Sequence, residues 1–218
     1  MLLFVGLGNP GPEYAGHRHN VGFMAVEAIR QRHNFPKWRP KSHGVSSEGV
    51  IGEEEVLLLL PRTYMNESGR AVREVVRPSS KLDDIVVFHD EVELPPAKLR
   101  MKRGGGNAGH NGLRSITTQM GNDYRRVQIG VGHPTKNVVL DRYVSWPLDR
   151  YVLSDFDKSE QPWVDALMDA IADNTELLTT GSDMAFEEKI QSLMDSRGFS
   201  RRDPAKAIAD RHRANKKD

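Results

Sequence analysis

Short runs of consecutive apolar residues alternate along the chain with stretches whose apolar residues recur every three or four positions. The first pattern is typical of buried strands and the second of amphipathic helices. Apolar runs predict strands over 2–7, 56–60, 85–88 and 127–132. Residues 97–102 alternate apolar with basic side chains, which predicts a further strand with one face in water.

The helical pattern occurs in five places. One helix is predicted to begin at Val21, a second is capped by Ser68, and a short third follows the glycine-rich loop GGGNAGHNG. Apolar residues at helical spacing predict a long helix over 164–178, and a shorter helix is predicted over 184–196.

Mixed strands and helices along one chain predict a single-domain α/β protein, a three-layer α/β/α sandwich around a mixed, mostly parallel twisted sheet. We expect this domain to span 1–195 and a basic extension to span 196–218. In open α/β sheets ligands bind at the carboxyl ends of the strands. Polar residues that follow predicted strands, namely Asn9, Asn66 and Asp90, therefore indicate where a site is expected.

The composition of the chain excludes several classes of protein and of functional site. The chain has 218 residues, of which 38% are hydrophobic and 28% charged, as is usual for soluble globular proteins. It has no cysteine, which excludes disulfides and thiolate sites, but it has eight histidines. The run 2–7 has no basic residue before it and predicts a strand rather than a secretory signal, and no segment is long enough to span a bilayer. We therefore expect a cytoplasmic protein.

The net charge of +1 is unevenly distributed. Residues 197–218 carry eight Lys and Arg against three Asp, a local charge of +5, which leaves the rest of the chain at −4. Such an extension is attracted to nucleic acid or to anionic surfaces. The alternative is a solvated, disordered terminus without a partner.

The loop GLGNPG at 6–11 fits G-x-G-x-x-G, the dinucleotide-binding fingerprint. Pro10 and Pro12 oppose the helix that this fingerprint requires directly after the loop. The fingerprint also needs an acidic residue after a second strand, whereas Glu27 lies inside the predicted helix. We interpret the loop as a rigid holder for Asn9, the alternative being that Asn9 satisfies only its own backbone.

His19 and Asp90 are the best candidates for catalysis. An Asp that accepts a hydrogen bond from one imidazole nitrogen fixes the tautomer, and the other nitrogen can then take a proton from water. The sequence contains no G-x-S-x-G, H-E-x-x-H or P-loop motif. This favours a His–Asp pair with a bound water over a covalent mechanism, and we expect neither a metal ion nor a cofactor.

Three asparagines and a strip of basic residues are further candidates for substrate binding. Asn9, Asn66 and Asn111 carry amides suited to binding esters or a developing oxyanion, although helix capping is an alternative for the last two. Lys98, Arg100 and Lys102 alternate with apolar residues next to the glycine-rich loop. That arrangement favours phosphate binding, the alternative being a solvated polar face.

Four stretches together resemble the bacterial peptidyl-tRNA hydrolase family. They are VGLGNPGPEYAGHRHNVGF, LLLLPRTYMNESGRAV, VVFHDEVELPPAKLRMKRGGGNAGHNGLRSI and RVQIGVGHP. They occur in the family's order over about 3–135, and the chain to about 195 is similar only in its helical pattern.

The resemblance implies a monomer, with no obligate protein partner and no membrane attachment, that hydrolyses the ester between peptide and 3′-terminal ribose of peptidyl-tRNA. Such hydrolysis recycles tRNA released prematurely from ribosomes and needs no metal. The family's motifs carry roles onto matching positions. His19 becomes the base, Asp90 orients it, and the remaining roles fall on Asn9 and Asn66 (ester and water), Gly109, His110 and Asn111 (gate-like loop by the peptide and CCA end), Tyr14 and Met65 (cleft) and Lys102 (tRNA phosphate).

The chain departs from the family in two places. Gln128 stands where the family usually has a second phosphate-binding arginine, while Arg126 lies one alternate step away on the same strand face. The phosphate site is therefore either weakened at Gln128 or rebuilt around Arg126. The extension from 196 also continues beyond the family's usual end.

Two other functions are alternatives. A non-catalytic RNA-binding protein on the same fold is disfavoured by the intact His19, Asp90 and three asparagines. A nucleotide-cofactor enzyme is disfavoured by the proline-rich first loop.

Overall fold

The computed structural model describes residues 1–77, 80–134 and 147–199. Within them the chain forms one sheet in the order β2-β3-β4-β1-β5-β7-β6. The strands are β1 (Leu2–Gly6), β2 (Arg39–Lys41), β3 (Gly44–Ile51), β4 (Glu54–Pro61), β5 (Ile85–Glu91), β6 (Leu99–Arg103) and β7 (Arg125–Gly130). Almost all of the expected basic extension, from 200 onward, lies outside the described residues.

Helices cover both faces of the sheet, as predicted. The helices are α1 (Val21–Arg32), α2 (Ser68–Val75), α3 (Asn111–Met120), α4 (Leu148–Val152), α5 (Gln161–Asp173), α6 (Glu176–Thr179) and α7 (Asp183–Ser196). Helices α1, α5 and α7 bury one face with residues such as Phe4, Phe88 and Val127. Helices α2 and α3 bury the other face with residues such as Val5 and Val87. Among the described helices, none is both long and apolar enough to cross a membrane.

The sheet is mixed. Strands β4, β1, β5 and β7 form three parallel ladders at its centre, and the outer pairs β2–β3, β3–β4 and β6–β7 are antiparallel. Strand β1 and the runs 56–60 of β4 and 85–88 of β5 are apolar on both faces, because helices cover both, and this pattern made them predictable. Strand β7 instead buries polar side chains, Arg125, Arg126 and Gln128. Their carboxyl ends meet at one edge of the sheet.

Some boundaries differ from the predictions. Ser68 does not cap α2 but is its first residue, and its hydroxyl donates to the Met65 carbonyl in a preceding 3₁₀ turn at Met65–Glu67. The predicted helix over 164–178 is broken between α5 and α6, where the Thr175 hydroxyl donates to the Ile171 carbonyl. A side chain that bonds the preceding turn in this way competes with helix continuation.

Close packing of α1 against the sheet places the segment that precedes it. A Cβ on Gly22 would lie 2.2 Å from the carbonyl oxygen of Phe88, so only glycine lets α1 approach the strand ends this closely. Backbone bonds from Leu7 to Phe88 (3.0 Å) and from Phe23 to Leu7 (3.2 Å) tie the same elements together. The turn before α1, which carries His19, is thereby held over the end of β5.

Candidate active site

A cleft of about 880 Å³ opens at the carboxyl ends of the central strands. It is bounded by the loop after β1, the turn before α2, the end of β5, the glycine-rich loop before α3, and α4. The structure brings most of the predicted residues to it: Asn9, His19, Met65, Asn66, Asp90, Lys102, Gly109, His110, Asn111 and Gln128.

His19 and Asp90 are hydrogen-bonded in the cleft. His19 lies in a 3₁₀ turn (Arg18–Asn20), and its Nδ1 is 2.9 Å from Oδ1 of Asp90, near the end of β5. Burial lowers the pKa of His19, but the Asp90 carboxylate and this hydrogen bond outweigh it and raise the pKa above its ordinary value. His19 Nε2 makes no hydrogen bond with any described residue and is therefore available to a water molecule.

Asp90 stays ionised although its side chain is buried. Burial raises its pKa, but the charges of His19 and His110 and their hydrogen bonds outweigh that effect and hold the pKa well below its usual range. An ionised carboxylate next to an imidazole stabilises the imidazolium that forms when the ring takes a proton.

His110 is a second imidazole on the same carboxylate. Its Nε2 is 3.0 Å from Asp90 Oδ1, and its Nδ1 accepts the backbone N–H groups of Gly112 and Leu113 at the start of α3. Because Nδ1 accepts, the proton of the neutral ring lies on Nε2, where it is donated to Asp90. His110 is thus the N-cap of α3, a position that the sequence interpretation had offered as an alternative role for Asn111.

His89 lies behind this pair and was not identified from the sequence. Its Nδ1 donates to the carbonyl of Asp90 at 2.7 Å, and its ring lies edge-on to that of His110 with centroids 5.2 Å apart. Burial, followed by the charge of His110, lowers the pKa of His89 to about 3. The ring is therefore neutral at physiological pH and supports the site by packing.

Asn9 is held on three sides. Its Oδ1 accepts the backbone N–H of Met65 at 2.9 Å, while Asn20 bonds both its backbone N–H (3.0 Å) and its carbonyl (2.9 Å). The loop 6–11 thus fixes an asparagine, and it is followed by a short 3₁₀ turn (Pro12–Tyr14), with the first α-helix beginning only at Val21, as the proline argument predicted. Since Oδ1 is occupied, the Nδ2 amide is the group that Asn9 can offer to a substrate. Asn20 is a positioning residue that sequence reasoning missed.

Asn66 and Asn111 are both exposed and both line the cleft. Asn66 lies within the 3₁₀ turn before α2 and Asn111 is the first residue of α3, so neither is an N-cap. Gly109, two residues before Asn111 in the glycine-rich loop, has φ +79°, a conformation that favours glycine.

Tyr14 does not line the cleft, which differs from the prediction. The 3₁₀ turn Pro12–Tyr14 directs its ring against His17, with ring centroids 5.3 Å apart in an edge-on arrangement. His17 in turn forms an isolated β-bridge with Asp155.

Arg126 and Gln128 are both buried, which disfavours a phosphate site rebuilt around Arg126. The Arg126 guanidinium, 0% exposed, donates to the carbonyls of Gly106 (2.8 Å) and Gly105 (3.2 Å) and lies 4.7 Å from the centroid of the Tyr124 ring. Gln128 bonds neighbouring side chains and lines the cleft floor. Lys102 is exposed at the cleft, as predicted.

Arg18 anchors the turn that carries His19 and was not identified from the sequence. Its buried guanidinium donates to the hydroxyl of Ser154 at 2.8 Å, to the carbonyl of Asp155 and to the carboxylate of Glu160. These bonds join the residue before His19 to the segment between α4 and α5. The basic charge pattern of HRHN gave no sign of a buried arginine.

His19, Asp90 and His110 are also residue types that bind metals, and their nitrogen and oxygen atoms lie within 4.8 Å of one another. The hydrogen bonds of both imidazoles to one Asp90 oxygen already account for this grouping. Metal independence stays a prediction, which chelation tests directly.

Comparisons with known proteins find one family along most of the chain. The family model for peptidyl-tRNA hydrolase matches residues 3–197. A peptidyl-tRNA hydrolase of Methylobacterium nodulans is 56% identical over 200 residues, covering 91% of this chain and 95% of that protein. That of Afipia carboxidovorans is 55% identical over 203 residues, covering 92% and 96%. The crystal structure of the peptidyl-tRNA hydrolase of Acinetobacter baumannii matches with a TM-score of 0.74 and 36% identity, covering 87% and 94%.

Proposed function

The chain belongs to the peptidyl-tRNA hydrolase family and hydrolyses peptidyl-tRNA, and from that premise we propose that His19 is its general base and Asp90 the residue that orients it. The observation that carries the proposal is the 2.9 Å contact between His19 Nδ1 and the buried Asp90 carboxylate at the edge of the cleft. It leaves Nε2 unpaired within the described chain and supports a positive charge on the ring.

The reaction needs few groups, because the ester of an aminoacylated ribose is readily attacked by a positioned water. His19 Nε2 takes a proton from the water while the water oxygen attacks the ester carbonyl. The tetrahedral intermediate then expels the ribose oxygen, which receives that proton from the imidazolium. The products are a peptide with a free carboxyl group, which then loses its proton to solvent, and a tRNA with a free ribose hydroxyl.

The asparagine amides bind the reacting ester. Asn9 Nδ2 is the donor we assign to the developing oxyanion, because its Oδ1 is occupied by Met65 and the side chain cannot turn without breaking that bond. Asn66 lies on the adjacent turn and contributes a second amide to the ester and the water. Gly109, His110 and Asn111 form the wall next to the peptide and the CCA end.

We also propose that the catalytic domain spans 1–195 and that 196–218 is a basic extension from it. The enzyme acts in the cytoplasm as a monomer, without a metal, a cofactor or an obligate protein partner. Sedimentation of the purified protein across a concentration series tests whether it is a monomer.

The test is release of a labelled acyl-amino acid from tRNA under single-turnover conditions. His19→Ala is expected to lower the rate by about 10²–10⁴-fold, the usual contribution of a general base. The matched control is His33→Ala, because His33 lies beyond the end of α1, bonded to the Ala172 carbonyl and away from the cleft.

Circular dichroism of both variants checks folding. A folded His19→Ala protein with turnover within threefold of wild type would contradict the assignment. If neither the wild type nor any variant releases the label but all bind tRNA, the non-catalytic RNA-binding alternative is supported instead.

A further inference from the structure

The basic residues of β6 and its flanks fall into two groups. Lys98 pairs with Asp195 of α7 at 3.5 Å, and Arg103 pairs with Asp83 (2.9 Å) and Asp123 (3.0 Å). Arg100 and Lys102 form no ion pair with any described residue, and both are exposed. Two cations without an ion-pair partner, Arg100 and Lys102, therefore lie between two cations that are paired with carboxylates.

Arg100 and Lys102 project from the same face of the sheet. They are two residues apart in an extended strand, so their Cα atoms are separated by about 6.6 Å along it. Leu99 and Met101, between and beside them, point to the other face, where they join the core under α7. The strand thus presents its two free cations together, on the side that carries the cleft.

Lys102 is held next to the glycine-rich loop. A Cβ on Gly105 would lie 2.9 Å from Cε and 3.2 Å from Nζ of Lys102, so the absence of a side chain at Gly105 makes room for the lysine. Beneath the loop, Arg126 bonds the carbonyls of Gly105 and Gly106 and fixes their position. The ammonium group consequently lies over a supported loop at the edge of the cleft.

Arg100 is oriented by Gln128. The two residues are directly opposite each other in the β6–β7 ladder, and Arg100 Nε donates to Gln128 Oε1 at 2.8 Å. Gln128 is itself fixed, because its Nε2 donates to Glu91 Oε2 at 2.6 Å and both side chains are buried. The amide therefore orients the guanidinium without neutralising it.

The rest of the Arg100 guanidinium stays available. Its two terminal amino groups make no hydrogen bond within residues 1–77, 80–134 and 147–199, although Nε is tethered. A guanidinium that presents two parallel N–H groups matches the oxygens of a phosphate.

We propose that Arg100, oriented by Gln128, is a second phosphate-binding cation beside Lys102, whose own contact with tRNA phosphate the family resemblance already implies. Gln128 is the positioning residue of this site and does not bind phosphate itself. Arg126, whose guanidinium is occupied by loop carbonyls, is not part of it. The proposal depends on peptidyl-tRNA being the substrate and is independent of the roles of His19 and Asp90.

The test measures the dissociation constant of deacylated tRNA over a series of NaCl concentrations. Each phosphate contact made by a cation contributes about one to the slope of log affinity against log salt. Arg100→Ala and Lys102→Ala are each expected to make the slope shallower by about one, and the double variant by about two. Arg103→Ala is the matched control, since this paired cation of the same strand is expected to leave the slope unchanged.

Deacylated tRNA has no ester, so a failure of this test is distinct from a failure of the catalytic assignment. A slope for Arg100→Ala equal to that of wild type, or an equal effect of Arg103→Ala, overturns the proposal. The thermal unfolding midpoint of each variant shows that a change in affinity does not come from unfolding.

Gln128→Met tests the positioning role. Methionine has a similar volume but lacks the acceptor for Arg100, while every charge is retained. The affinity for tRNA is expected to fall roughly threefold to tenfold, the loss of one orienting hydrogen bond, with an unchanged salt slope. For peptidyl-tRNA, KM is expected to rise by a similar factor and kcat to stay the same. An affinity within error of wild type, or a change in kcat alone, overturns the role of Gln128.

Discussion

The imidazole Nε2 of His110 lies 3.0 Å from Oδ1 of Asp90, the same oxygen that accepts the hydrogen bond of His19. Both donors stabilise this carboxylate oxygen as an anion. Asp90 therefore stabilises protonated His19 less than it would if His19 were its sole donor. His110 is fixed as a donor because its other nitrogen caps α3. By donating to Asp90, His110 at the start of α3 therefore lowers the basicity of His19.

Replacing His110 is expected to shift the pH dependence of catalysis. In His110→Ala the Asp90 carboxylate has one donor fewer and stabilises protonated His19 more strongly. The pKa of His19 then rises, and the acid limb of kcat/KM, where the base becomes protonated, moves to higher pH. The limb is measured from pH 5 to 9 with a labelled acyl-tRNA.

His110→Asn separates this effect from helix capping. Asparagine is a good N-cap but is too short to take the place of the imidazole on Asp90, so this variant should shift the limb as His110→Ala does. Only His110→Ala should lose about 1 kcal/mol of stability from the missing cap. An unshifted limb in both variants would show that His110 acts on the helix alone.

Asp90→Asn is expected to lower kcat much more than it changes KM. The amide no longer stabilises the imidazolium and allows the wrong tautomer of His19, which costs about 10⁴-fold in a Ser-His-Asp triad. Burial is then no longer offset by the carboxylate, so the pKa of His19 falls and the acid limb moves to lower pH, opposite to the His110 variants. An effect confined to KM would be inconsistent with an orienting role.

The sequence was sufficient to predict the central strands and the contact between His19 and Asp90. Both depend on apolar runs and on the rule that parallel strands end at one edge. Strands β2 and β3 were not predicted, because β2 is exposed and β3 buries Ser46 and Ser47, so neither has an apolar run.

Contacts made by side chains that reach across loops were also not predictable. Whether Arg126 faces a phosphate or a loop carbonyl depends on the path of the glycine-rich loop above it, and strand alternation predicts only the face of the sheet. The bonds of Arg18 to the segment before α5 join positions more than 130 residues apart, which no local pattern records. For the same reason the tether between Arg100 and Gln128 required the strand register.

His89 is expected to make the fold sensitive to acid. Its pKa is lowered to about 3 in the folded protein, against an ordinary value of 6.5, so the folded state resists protonation that the unfolded chain accepts. The contribution is fully present above pH 6.5 and is lost as the pH falls toward 3. At pH 4.5 the loss attributable to this residue is about 3 kcal/mol.

Urea unfolding at pH 7 and pH 4.5 measures that loss. His89→Asn, which can still donate to the Asp90 carbonyl but does not titrate, should lose less stability than wild type over this interval. Equal losses in the two proteins would show that other groups account for the acid sensitivity.

Chelation is expected to leave activity unchanged. The only reacting groups that the mechanism uses are an imidazole, a carboxylate and amides, and Asp90 Oδ1 already accepts two imidazole donors. The wild-type rate after dialysis against EDTA should equal the rate before it. Inactivation that a divalent ion restores would point to a metal bound by His19, Asp90 and His110.

Arg126 is expected to support the glycine-rich loop and not to bind RNA phosphate. Its buried guanidinium donates to two loop carbonyls, and removing it loses these charge-assisted hydrogen bonds at a cost of about 1–3 kcal/mol. Arg126→Lys keeps the charge but cannot bond both carbonyls with one planar group. Arg126→Ala and Arg126→Lys should therefore lose stability alike and leave the salt dependence of tRNA binding at the wild-type slope. If instead Arg126→Ala makes that slope shallower by about one while Arg126→Lys keeps it, Arg126 contacts phosphate and the site is rebuilt on β7, because only a residue that neutralises a phosphate changes the number of counterions released.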